Sequence, residues 1–212
     1  MADTGTLHDA FIDELRDAYD GERQLTKALP KLAKAATAPA LKKAFTSHLA
    51  ETEGQIKRLE QVFGLLGEKP RGKHCEGIAG IVKEGAAIMK EDFDDATMDA
   101  CLVAAGQRAE HYEIAAYGTL VAWARVMGHD KAVGLLQRIL DEEGAADKKL
   151  SALAESGINQ RASEAGEDEP GDDEAEGEED DNAEDPGART KSGAGAPSAI
   201  AGRMAGSGAR RR

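Results

Sequence analysis

Residues 109–120, AEHYEIAAYGTL, set two carboxylates one helical turn apart, Glu110 and Glu113, with Tyr117 following on the same side. Val103, Ile114, Tyr117 and Leu120 mark the inward face of that helix, and both glutamates lie on or beside it. An ionised carboxylate is costly to bury unless it is paired or coordinated. The same misplacement recurs along the chain. Glu22 falls on the apolar stripe of Phe11, Leu15, Leu25 and Leu29. Leu136, Ile139, Leu140, Leu150 and Leu153 turn Glu143 and Asp147 inward. In HLAETEGQ, His48 and Gln55 flank the apolar line, with Glu51 further round near its edge.

Each of four helices thus offers at least one oxygen or nitrogen ligand near its middle, and antiparallel packing would bring those middles to one level. Like charges gather in a core only with cations or protons to compensate them. Two divalent or trivalent metals would do so, and carboxylates with one imidazole suit iron or manganese. Taken singly, the residues have plainer readings: Glu22 as a rim residue in an ion pair, His48 as a hydrogen-bonded boundary histidine. The coincidence of four helices is what favours a dinuclear site. His111 and Glu142 sit about 100° round from their inward neighbours and read as exposed residues or as partners of ligands. Tyr117 is placed to donate a hydrogen bond to a ligand.

The elements that must position these groups are all helical. Aromatic residues make up only 4% of the chain, which favours helix over sheet. Helical spacing predicts a first helix over about 7–35, with Pro30 expected to kink it or loosen its last turn. Pro39 suits the start of a second, over about 40–66, ended by Gly67 and Pro70. A long connection, 67–95, carries a weaker helical piece, CEGIAGIVKEGAAIMKE. Helices over about 95–127 and 130–155 follow, closed by Gly128 and Gly157. Two closely joined pairs with one long crossover between them give an all-α fold, the ferritin-like four-helix bundle. No strand–helix alternation supports a nucleotide-binding α/β fold.

Composition changes near Ser156–Gly157, which sets a folded domain over 1–158 and a tail over 159–212. Residues 164–185 hold 14 acids and no Lys or Arg, and residues 186–212 hold six Lys or Arg and no acids. The tail is expected to be disordered. Much of the net charge of −13 resides there, so the folded part is only mildly acidic. Cys75 and Cys101 lack CxxC spacing and read as reduced thiols. No apolar run spans a membrane and the N-terminus lacks a signal-peptide pattern, so a cytoplasmic protein is expected.

ERQLTKALPKLAKA, LKKAFTSHLAETEGQIKRLEQVF, AAGQRAEHYEIAAYGTL and LDEEGAADKKLSALA, spread over residues 7–155, resemble the YciE/YciF family, a bacterial ferritin-like group associated with stress responses. The resemblance implies a homodimeric four-helix bundle holding two metal ions per chain, iron or alternatively manganese. Its ligand positions carry over to Glu22, to His48 with Glu51, to Glu110 with Glu113, and to Glu143 with Asp147. Here the chain departs from the usual Glu-x-x-His pairs, with His-x-x-Glu in the second helix and Glu-x-x-x-Asp in the fourth. Three functions follow as expectations. One is redox handling of iron, oxygen or peroxide, and another is metal storage in a cage. The third is a non-catalytic stress-associated protein whose charged tail contacts a partner, nucleic acid through the basic end included.

Overall fold

The computed structural model describes residues 5–165. Six helices follow in order: α1 Leu7–Ala35, α2 Pro39–Leu65, α3 Glu76–Ile88, α4 Asp95–Val126, α5 Asp130–Leu153 and α6 Asn159–Ala165. α1 packs most closely on α2, and α4 on α5, while α2–α5 and α1–α4 contacts close the bundle. The long crossover carries α3 against α1 and α4. The all-α, four-helix architecture expected from the sequence is therefore present.

Local chemistry explains the boundaries. Thr6 and Asp9 form a reciprocal cap on α1, Thr6 N donating to Asp9 Oδ2 at 2.8 Å. Asp94 caps α4 by accepting from Ala96 N and Thr97 N. α2 has no cap of its own, because Ala38 stands at that position. Asp99 of α4 supplies one across the bundle, accepting from Thr37 N at 2.8 Å and Ala38 N at 2.7 Å while buried. Gly67 and Gly128 end α2 and α4 with φ of 73° and 74°, a conformation that favours glycine.

α1 spans the expected range, with Pro30 inside it. Gly157, at φ 142°, breaks the chain within a wide turn, Ala154–Ile158, but helix resumes as α6 and reaches Ala165. Ordered helix thus extends seven residues past the boundary expected at 158; the rest of the charged tail lies outside the described residues. Cys75 is buried and Cys101 half-buried, and both are free thiols. Among the described residues, no helix is long and apolar enough to cross a membrane.

The core falls into two separate apolar clusters. One gathers Phe11, Leu15, Leu59, Phe63, Leu120, Leu136 and their neighbours at the end where α1 and α5 begin. The other gathers Leu25, Leu29, Leu41, Phe45, Leu102, Leu150 and the crossover residues Cys75 and Ile78 at the opposite end. Between them in sequence, on every long helix, come buried polar residues: Glu22, His48, Thr52, Gln55, Glu110, Glu113 and Glu143.

Candidate metal centre

The polar layer follows from helical periodicity. On α2, Leu41, Ala44, Phe45, His48, Thr52, Gln55, Leu59 and Val62 are all buried, so the inward line passes straight through His48, Thr52 and Gln55. On α4, Glu110, Glu113 and Tyr117 continue the line of Leu102, Val103 and Ala109. Glu22 on α1 and Glu143 on α5 are buried to 1% and 0% exposure.

One atom from each of His48, Glu110, Glu113 and Glu143 lies within 4.8 Å of the others. His48 Nε2 stands 3.3 Å from Glu110 Oε1 and 3.7 Å from Glu143 Oε2. Gln55 Nε2 donates to Glu143 Oε1 and, at 3.3 Å, to Glu142 Oε2, which also accepts from Arg58. Thr52 donates to the His48 carbonyl at 2.9 Å. Glu22 stands beside this group and accepts from the buried Tyr117 hydroxyl.

The electrostatics are those of crowded acids. Burial pushes Glu110 up to about 11, reinforced by Glu143. Burial, then the charges of Glu143 and Glu22, drives Glu113 well above the carboxylate range. Burial and Glu143 do the same to Glu22, while burial raises Glu143 against the opposing pull of its hydrogen bonds and of His48. Desolvation followed by the Glu22 charge raises Tyr117, which keeps its hydroxyl a donor.

These residues fit a metal. Glu22, Glu110, Glu113 and Glu143 each keep one carboxylate oxygen, Oε2, buried and without a hydrogen-bond partner. Orphaned buried oxygens are destabilising. Four in one layer, with an imidazole nitrogen among them, form the hard oxygen-plus-nitrogen donor set that iron and manganese take.

The other two predicted ligands stand apart from that group. Glu51 is 46% exposed at its side chain and meets the cluster only through His48 Nδ1, at 3.2 Å. Asp147 is half-buried at the edge of the layer, where it accepts from Gln107 at 3.2 Å and lies 3.1 Å from His111 Nε2, and its charge adds to those that raise Glu110. His111 is itself exposed, as its position one residue round from Glu110 implied.

Residues 6–163 match the model of a domain of unknown function, DUF892. The chain belongs to this family. It is 42% identical to protein YciF of Escherichia coli K12 over 158 residues, 74% of this chain and 95% of that protein. The crystal structure described as the E. coli stress protein YciF superposes with a TM-score of 0.71, covering 74% of this chain and 99% of the other. YcfI of Rhodopseudomonas palustris, 49% identical, gives a TM-score of 0.69 over 71% of this chain and 96% of its own. The family match ends at 163, close to the end of α6, so that helix belongs to the family's domain while the charged tail lies outside it.

Sequence reasoning passed over Thr52 and the Arg58–Glu142 pair. Thr52 is four residues from His48 and three from Gln55, so the spacing carried a signal. Arg58 carried none. Its Nη2 is held by Glu142 on another helix, a pairing that only the packed bundle creates.

Proposed function

We propose that the polar layer binds two metal ions, iron or alternatively manganese, and that the protein acts in a bacterial stress response by handling iron, oxygen or peroxide. The observation that carries this reading is the set of four partnerless carboxylate oxygens, three of them on glutamates gathered around one imidazole. His48, Glu110, Glu113, Glu143 and Glu22 would hold the ions. What the ions supply when bound is redox chemistry toward dioxygen or peroxide. The protein's own part is to fix and shield them. Gln55 locks Glu143 in place, Tyr117 locks Glu22, and the two apolar clusters close the layer from either end. Glu51 and Asp147 serve this reading as partners of His48 and His111 at the margin of the layer.

Metal analysis of the purified protein tests the proposal, with about two ions per chain expected. The double substitution Glu110→Ala with Glu143→Ala should abolish binding. Metal content unaffected by it would sink the site assignment.

A second reading has an observation of its own. The same burial that favours a cation also favours protons, so neutral carboxyl groups would make a purely structural layer. A structural role has been put forward for YcfI in its description. Protein that takes up no iron or manganese on titration would favour it. Light scattering separates a cytoplasmic homodimer, which we expect, from a storage cage.

A further inference from the structure

One cavity, of about 120 Å³, leads from the surface to this layer. It lies between α2 and α5 and reaches Glu110 of α4 at its base. Its walls are Ala44, Phe45, Ala146 and Leu150, and its rim carries Glu51, Ala145 and Lys149, all exposed. Burial increases along one line of ligand atoms. Glu51 at the rim is 46% exposed at its side chain, His48 8% and Glu110 4%, with steps of 3.2 Å and 3.3 Å between them. The inner end is a buried carboxylate with one oxygen that nothing satisfies.

We propose that this cleft is the route by which a divalent cation enters the layer, with Glu51 as a transit ligand at its mouth rather than a resident one. The inference rests on the metal-binding reading above and adds the path and the role of Glu51. The other charges at the rim leave Glu51 the acid best placed to receive a cation. Glu142 is held by Arg58 and Gln55, and Lys149 donates to Ser47 Oγ at 2.8 Å. The apolar walls and small volume admit an ion shedding its water but leave little room for an organic substrate. On the far side of the layer, the apolar cavity among α1, α3 and α4 has about 40 Å³ and only Lys31 as a charged residue in its lining.

The test is the rate at which metal-free protein takes up cobalt(II), followed by visible absorption in a stopped-flow instrument, with final stoichiometry from metal analysis. Ala145→Phe plugs the rim from an exposed helical position and should slow uptake about tenfold, as a steric gate on association does. Glu51→Gln keeps shape and removes charge, and should slow uptake about tenfold at low salt with the difference shrinking as salt rises. Neither should change the final stoichiometry. Ala86→Phe, beside the far cavity, should load at the normal rate. Normal uptake by Ala145→Phe, or equal slowing by Ala86→Phe, overturns the route while leaving the metal reading intact. Lowered stoichiometry in Glu51→Gln overturns its transit role. Wild-type protein that binds no cobalt removes both the route and the reading beneath it.

Discussion

The two apolar clusters and the polar layer between them are built on the same four helices but by opposite rules. In the clusters, Phe11, Leu15, Leu59, Phe63 and Leu136 fill the interior at 0% exposure, and every contact is favourable without help from a ligand. In the layer, positions equally deep hold four glutamates, each with an unsatisfied oxygen. The clusters hold the bundle together; the layer opposes it until something neutralises the acids. A protein tolerates such a layer when the stability supplied elsewhere exceeds the cost, as it does at sites kept for function.

pH breaks this balance most visibly. A carboxyl whose folded pKa is raised keeps its proton where the unfolded chain has released it, so it favours folding least at high pH. For Glu110, raised to about 11, stability is lost progressively as pH climbs from the ordinary carboxylate range toward that value. Each pH unit in that window removes about 1.4 kcal/mol for one such group, or about 4 kcal/mol between pH 5 and 8. Urea unfolding of metal-free protein should therefore show a midpoint that falls steeply over this range. Added metal should flatten the dependence by replacing the protons. Asp9, lowered by its hydrogen bonds from Thr6, acts in the opposite sense but only below its own unfolded value, outside this window. A flat profile for the metal-free protein would mean that the acids are not buried together.

Next in size is a direct attack on a cluster. Leu136→Ala removes a fully buried side chain beneath the layer and should cost about 3 kcal/mol, seen as a lower urea midpoint with unchanged slope. The counterpart within the layer should go the other way. Glu113→Gln keeps the shape and cannot ionise, so the metal-free variant at pH 8 should gain about 2 kcal/mol over wild type. The same variant should bind metal more weakly. Opposite signs at equal depth are what separates a supporting core from a burdened one, and equal signs would erase the distinction.

The sequence exposed this division because helical periodicity is regular. The stripes of α1, α4 and α5 put Glu22, Glu110, Glu113 and Glu143 inward, and the short α1–α2 and α4–α5 connections set the pairing. Periodicity ran out at the margins of the stripe. Asp147 shares a face with Glu143 by spacing, yet it lies one turn further along α5, half-buried, where Gln107 and His111 of α4 engage it. Glu51 lies near the edge of its stripe, and that edge is the rim of a cleft. Asp99 had no legible role, since its partners are the backbone amides of Thr37 and Ala38 ahead of α2, which reach it only once α4 has folded against that connection. Facing directions can be read from one helix; partners across the bundle cannot.

The smallest expected effect is the sharpest probe of the layer's edge. Two imidazoles stand at or near the layer, His48 at 8% and His111 at 69% side-chain exposure. His48 touches Glu110 and approaches Glu143, whereas His111 pairs with the half-buried Asp147 at the layer's edge. His111→Ala should change unfolding stability by less than about 0.5 kcal/mol, as surface substitutions do. It should also leave metal stoichiometry unchanged, whereas His48→Ala should lower it. Dependence of metal content on His111 would draw Asp147 and the outer face of α4 into the centre, and the boundary between buried ligands and surface partners would have to move outward by one helical turn.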